Sequence, residues 1–209
     1  MRFNRNKMVG QRKIFLIEPH PDDIFLGAHY FCHKYELYNN SILVQMSRGS
    51  YDLKTKQYSD LLAAQRNKET LAFMDDVGIG CREEANLYDR AITSKAVGEF
   101  LVYVMRKHNL NENDVFALYP CLDRHEDHKA VTRACRNMGF KRFAEYVVWG
   151  NGITLLPAGE VIECQNKVRD FKRFFPSQYQ DLIVEQEIED IAKRLVTEEI
   201  FWRWTNDSR

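Results

Sequence analysis

Two short stretches hold most of the chemistry this chain offers. "EPHPDD", residues 18–23, sets one histidine and two adjacent aspartates among prolines, and "DRHEDH", residues 123–128, sets two histidines three residues apart among carboxylates. A hydrolytic site of the zinc type needs three nitrogen or oxygen ligands from the protein and one open position for water. His20, Asp23 and His128 supply such a set. Successive side chains on a bent loop diverge, so Asp22 and Asp23 are not expected to serve one ion in the same way. With Asp23 on the ion, Asp22 faces the water and is the candidate general base. His125 is expected across the site, stabilising or protonating the tetrahedral species or its leaving nitrogen.

These residues act together only if the fold joins loops about one hundred positions apart, and the pattern of elements allows it. Short β-rich apolar runs at Ile14–Ile17, Ile42–Met46, Ala85–Tyr88, Val115–Tyr119 and Tyr146–Trp149 predict strands. Between them, Ile24–Tyr38, Ser59–Asp76 and Ser94–Lys107 repeat apolar residues at three- and four-residue intervals, as helices covering a sheet require. The alternation predicts an α/β fold with a mostly parallel sheet flanked by helices. Ligands of such sheets bind beyond the carboxyl ends of the strands, and both histidine clusters follow predicted strands. Pro19 and Pro21 end the first strand by removing two backbone donors, so His20, Asp22 and Asp23 fall on a loop entering a helix near Ile24. Later in the chain, a helix-like stretch through Phe171–Phe175 and a charged one from about Leu182 to Trp204 predict a C-terminal helical extension.

Composition narrows the function classes. At 209 residues, with no Gly/Ser/Pro linker, the chain reads as a flexible basic leader at 1–13 and a single domain at 14–209. Thirty basic residues balance thirty acidic ones, which points away from a nucleic-acid partner. The apolar run behind the leader is only IFLI, too short for a signal-peptide core or a membrane span. Five scattered cysteines with no CxxC pair suggest neither a disulfide framework nor a thiolate zinc site, so a cytoplasmic setting is expected.

At this point the motifs carry a resemblance. "PHPDDIFLGA" resembles the HPDD-x-x-LG motif of the PIG-L/LmbE-like metal-dependent N-deacetylases, and "HEDHKAV" resembles their HPDH-x-A-V motif. "MSRGS" at 46–50, "RNKE" at 66–69, "LYDRAI" at 87–92 and "KVRDFKRFFPSQ" at 167–178 are similar to further family segments. The resemblance implies a Rossmann-like fold, a Zn2+ cofactor with another divalent ion such as Fe2+ as the alternative, and hydrolysis of the acetamide of an N-acetylglucosamine-type sugar or its conjugate. It also implies ligands at His20, Asp23 and His128, a base at Asp22 and an assisting histidine at His125. Arg66 and Asp89 fall where the family contacts substrate, and Asp127 where a carboxylate orients a histidine. Three departures alter local charge without removing a proposed ligand or base: Ile24 replaces a common Glu, Glu126 a proline and Glu18 an alanine. The sequence lacks the N-terminal membrane helix of the eukaryotic glycolipid-anchor members, so a small-molecule amino sugar is expected rather than a membrane-embedded glycolipid.

Blander readings stand beside these. His29 and His33, four apart on a helix, read as partly buried, hydrogen-bonded or exposed histidines rather than ligands. Ser177–Gln178 after Pro176 reads as a helix N-cap. Metal-dependent phosphoester hydrolysis and non-catalytic sugar binding are the competing functions. The first often needs two ions and more bridging carboxylates, and the second needs no base. The aglycone, and whether the chain forms a homo-oligomer, are left open by the sequence.

Overall fold

The computed structural model describes residues 12–121, 124–148, 160–164, 167–179 and 198–204. Its centre is β1 (Lys13–Glu18), in which every residue after Lys13 is buried. Alternate side chains of a strand point to opposite faces. Accordingly Ile14 and Leu16 join one core layer, and Phe15 and Ile17 the other. Burial on both faces is what a parallel sheet covered on both sides requires.

The strands that follow are β2 (Ser41–Ser47), β5 (Arg82–Leu87), β6 (Val115–Pro120) and β7 (Arg142–Tyr146), separated by a short hairpin of β3 (Tyr51–Asp52) and β4 (Gln57–Tyr58). With β8 (Glu160–Glu163) and β9 (Glu198–Trp204) the main sheet has the order β5-β2-β1-β6-β7-β9-β8. The five strands from β5 to β7 are parallel, and β9 and β8 add antiparallel pairs at one edge. Helices α1 (Asp23–Lys34), α2 (Asp60–Val77) and α5 (Lys167–Phe174) pack Phe25, Phe31, Phe73 and Phe171 against Ile14 and Leu16. On the opposite face α3 (Ser94–Lys107) and α4 (Glu126–Met138) pack Val97, Leu101 and Val131 against Phe15 and Ile17. This is the Rossmann-like, mostly parallel α/β architecture.

Chain order decides where a ligand can sit. From β1 the chain moves outward through β2 to β5, then returns to the other side of β1 with β6. The carboxyl ends of β1 and β6 therefore flank the point where strand order reverses, which is where a crevice opens in folds of this kind. One histidine motif follows each of these two strands.

Three expectations need correction. The strand expected at Tyr146–Trp149 lies earlier, at Arg142–Tyr146, because β6 fixes its register from Phe116↔Arg142 to Pro120↔Tyr146. Its buried Glu145 disguises it in sequence, and a two-bond pair with Arg136 at 2.8 Å each makes that burial tolerable. The helix expected to reach Trp204 ends in strand: Glu198–Trp204 pairs with both β7 and β8, because an open sheet edge supplies partners that helix periodicity does not reveal. The rest of that segment lies outside the described residues. The helix expected at Ile24–Tyr38 stops at Lys34, and a 3-10 turn follows at Tyr38–Asn40. Of the leader, only Arg12 and Lys13 are described, and Lys13 already belongs to β1. Among the described residues no helix is long and apolar enough to cross a membrane, and no disulfide joins the five cysteines.

Candidate metal centre and active site

Two local structures present the histidines. Beyond β1 the loop through Pro19 and Pro21 bends so that Asp23, the first residue of α1, reaches back to accept the His20 amide N–H at 2.8 Å. Beyond β6 the chain enters α4 with His125 at the N-cap, its Nδ1 accepting the Asp127 N–H at 3.2 Å. His128, fully buried, follows in the first turn.

Three donor atoms meet between these loops. His20 Nδ1 lies 3.1 Å from Asp23 Oδ2 and 3.3 Å from His128 Nε2, and the latter lies 3.3 Å from Asp23 Oδ2. Around a tetrahedral ion with bonds of about 2.0–2.1 Å, neighbouring donors sit roughly 3.3–3.4 Å apart. The nearly equilateral triangle therefore fits one face of such a coordination sphere, and two imidazoles with a carboxylate are donors that suit zinc. On its far side His20 Nε2 lies 3.0 Å from Asp127 Oδ2, which holds the ring with Nδ1 toward the triangle. Asp127 is itself fixed by the backbone N–H groups of Arg90 and Ile92, at 2.6 and 3.3 Å.

Electrostatics follow from this crowding. Burial works against charge on Asp23 and His20, but each offsets it for the other. Asp23 is held well below the ordinary carboxylate range by His128 and His20. His20 is held well above the ordinary histidine range by Asp23 and Asp127. His125 moves the other way, down to about 4, through burial first and then the positive charge of His20 and His128. Donor nitrogens of His20, His125 and His128 come within 4.8 Å of one another, but the triangle containing Asp23 is tighter. In a neutral His125 whose Nδ1 accepts a hydrogen bond, the proton resides on Nε2, so that nitrogen is a donor.

Asp22 sits at the N-cap of α1 yet makes no side-chain capping bond. Instead, in the amide orientation that satisfies both groups, Gln178 Nε2 donates to both Asp22 carboxylate oxygens at 3.1 Å. Burial first, and then the neighbouring Asp23 charge, push the Asp22 pKa up to about 7 against the pull of Arg66 and His20. Gln178 is steadied by its neighbour. Ser177 donates its backbone N–H and its hydroxyl to the two oxygens of Glu69, at 3.0 and 2.7 Å, and so ties this helical turn to α2. The N-cap expected of Ser177–Gln178 is thus replaced by two long-range contacts, which residue type alone does not reveal.

Residues 15–138 match the model of the PIG-L family, described as GlcNAc-PI de-N-acetylase. The chain belongs to the PIG-L family. Both histidine motifs lie within the matched span. No curated protein shows significant sequence similarity to the chain. Among solved structures, the N,N'-diacetylchitobiose deacetylase from Pyrococcus horikoshii, in complex with its inhibitor MPG, superposes with a TM-score of 0.66 at 17% identity, over 96% of this chain and 86% of that one. At that identity the likeness concerns the fold.

In this PIG-L family member the two residues expected to contact substrate are both buried beside the histidine loops. Arg66 on α2 is buried and donates from Nη1 to the carbonyls of Gly49 and Tyr51, at 3.0 and 3.5 Å. Asp89 accepts the Tyr51 N–H at 2.7 Å through Oδ2, while its buried Oδ1 has no donor among the described residues. Gly49 makes this close packing feasible: its φ is +64°, and a Cβ there would lie 2.7 Å from Pro21 Cγ and 2.9 Å from Arg66 Cδ. His29 is hydrogen-bonded and more deeply buried than expected, stacked on Phe25 with Nδ1 3.0 Å from the Tyr38 hydroxyl. Glu18, the departure before the first histidine, is buried, and its Oε2 accepts the Ile24 N–H at 3.3 Å. Burial, and then the Asp23 charge, raise its pKa well above the ordinary value.

Proposed function

We propose that the chain is a metal-dependent N-deacetylase that hydrolyses the acetamide of an N-acetylglucosamine-type amino sugar or its conjugate. The observation that carries this reading is the triangle of His20 Nδ1, Asp23 Oδ2 and His128 Nε2, with sides of 3.1–3.3 Å, beside the carboxylate of Asp22. Membership of the PIG-L family supports it, as does a fold shared with a diacetylchitobiose deacetylase.

In this reading His20, Asp23 and His128 hold Zn2+, with Fe2+ as the alternative, and Asp127 orients His20. The bound ion supplies Lewis acidity, acidifying water and polarising an amide carbonyl. Asp22 takes the proton of the attacking water. Its raised pKa makes it a stronger base than an ordinary carboxylate, and Gln178 keeps both oxygens in place. Neutral His125 hydrogen-bonds from Nε2 to the negative charge that develops on the carbonyl oxygen, and the proton taken by Asp22 passes to the departing nitrogen. Arg66 and Asp89 hold sugar hydroxyls. Acetate and a free amine result.

The test is acetate release from N-acetylglucosamine conjugates by zinc-loaded protein, with phosphoesters run in parallel. The expected result is acetate without phosphate, abolished by Asp22→Asn at unchanged metal content. Phosphate release without acetate overturns the proposal.

A further inference from the structure

Three tyrosines gather next to the candidate centre. The rings of Tyr51 and Tyr58, on the two strands of the hairpin, lie 5.5 Å apart at 69°, and those of Tyr58 and Tyr88 lie 5.2 Å apart at 68°. Each ring thus meets the next edge to face. Tyr58 and Tyr88 are half exposed, at 50% and 52%, a large aromatic area to leave in water.

Their placement is fixed by the residues that border the site. The Tyr58 hydroxyl donates to the Asp89 carbonyl at 2.8 Å, and the Arg90 guanidinium covers the Tyr51 ring at 4.3 Å. Arg90 in turn gives its backbone N–H to Asp127, the residue that holds His20. Tyr88, Asp89 and Arg90 therefore run without a break from the aromatic patch to the histidine cluster. Within this run lies Asp89 Oδ1, on a residue only 4% exposed, with no donor among the described residues. A buried carboxylate oxygen without a donor is a receptor for a hydroxyl or N–H from a ligand.

We propose that Tyr58 and Tyr88 form a subsite for a second sugar ring, joined to the N-acetylated sugar whose acetamide lies at the metal centre. The proposal rests on the deacetylase reading above and deepens it. A pyranose presents a face of C–H bonds with hydroxyls around its rim. Tyrosine faces cover the C–H face, and Asp89 Oδ1 accepts a hydroxyl from the rim. An acyl chain matches the patch poorly, because it offers no donor to Asp89 Oδ1 and would cover the exposed Arg90 guanidinium with nothing to bond it.

The experiment is calorimetric binding of N-acetylglucosamine and of N,N'-diacetylchitobiose to zinc-loaded Asp22→Asn protein, in which turnover is blocked. The disaccharide is expected to bind about three- to tenfold more tightly than the monosaccharide. Adding Tyr88→Ala or Tyr58→Ala should bring the ratio close to one, while Tyr58→Phe, which keeps the ring, should preserve it. Equal binding of the two sugars, a ratio untouched by either alanine, or a tyrosine-dependent preference for octyl N-acetylglucosaminide over the disaccharide overturns the subsite. A tyrosine-dependent preference for the disaccharide, combined with no acetate release by the wild-type protein, supports the subsite and overturns the deacetylase reading instead.

Discussion

His20 Nε2 lies 3.0 Å from Asp127 Oδ2 while the opposite nitrogen of the same ring faces Asp23 and His128. One imidazole therefore joins two motifs more than one hundred residues apart, and a carboxylate outside the triangle of donor atoms decides which nitrogen is offered to it. Asp127→Asn replaces the anionic acceptor by a neutral amide. Zinc affinity should fall about 10- to 100-fold, as removal of such orienting carboxylates commonly does, with much of the turnover recovered at saturating zinc. Competition against a chromophoric chelator measures the first effect, and an assay across zinc concentrations the second. Unchanged affinity would remove Asp127 from this role.

Gln178 holds Asp22 from the far side of the α1 N-terminus. Gln178→Leu keeps the volume but withdraws both donated bonds. We expect kcat to fall roughly tenfold to a hundredfold, the loss of one or two hydrogen bonds to a charged group, with zinc content unchanged. Elemental analysis alongside steady-state kinetics separates the two. A change in KM alone would contradict the assignment.

The pH profile follows from the same carboxylate. Asp22 acts as a base only when ionised, and its pKa is about 7. A bound cation favours the ionised form and moves that pKa down. Zinc-loaded enzyme should therefore gain activity as pH rises through a limb lying below pH 7, at close to tenfold per pH unit on the acid side. A rate that falls as pH rises from 5 to 7 is incompatible with Asp22 as the base.

His29 gives the fold a pH dependence of its own. Burial first, and then the charges of His33 and Lys167, lower its pKa to about 3. The folded state resists protonation while an unfolded histidine takes up its proton near the ordinary value, about 6.5. Stability is thus fully present above that value and is lost as pH falls toward 3. Between pH 7.5 and pH 5 the loss should be about 2 kcal/mol. Chemical denaturation of His29→Phe at both pH values should show this share of the dependence removed. Parallel curves for the two proteins would exclude it.

Gly27 tests the packing that supports the site. A Cβ at this position in α1 would overlap Tyr146 Cδ2, and the hydroxyl of the fully buried Tyr146 donates to the Ile17 carbonyl at 2.8 Å. Gly27→Ala must displace one of these elements. We expect a destabilisation of about 1–3 kcal/mol, read as a fall in Tm. An unchanged Tm would mean that the contact yields freely.

Much of the fold was legible because parallel strands and their covering helices imprint apolar periodicity on the chain. The run IFLI is β1 almost to the residue, and the helix expected at Ser94–Lys107 has those bounds. Elements that depend on distant partners were not legible. β7 carries Glu145, admitted by Arg136 of α4, and β9 exists because β7 leaves an edge to pair with. The helix expected through Trp204 failed for that reason.

For the site, residue type and spacing alone named His20, Asp22, Asp23, His125 and His128, because few side chains can ligate a metal or move a proton. The sequence also placed these residues after strands, where the fold would gather them. Only the tertiary structure decided which atoms meet. It turned His20 Nδ1 inward through Asp127, brought Gln178 to Asp22 across 156 residues and set the tyrosine patch beside Asp89. The physical reason is that a donor's identity is local, whereas its direction is set by hydrogen bonds to partners that the chain supplies from far away.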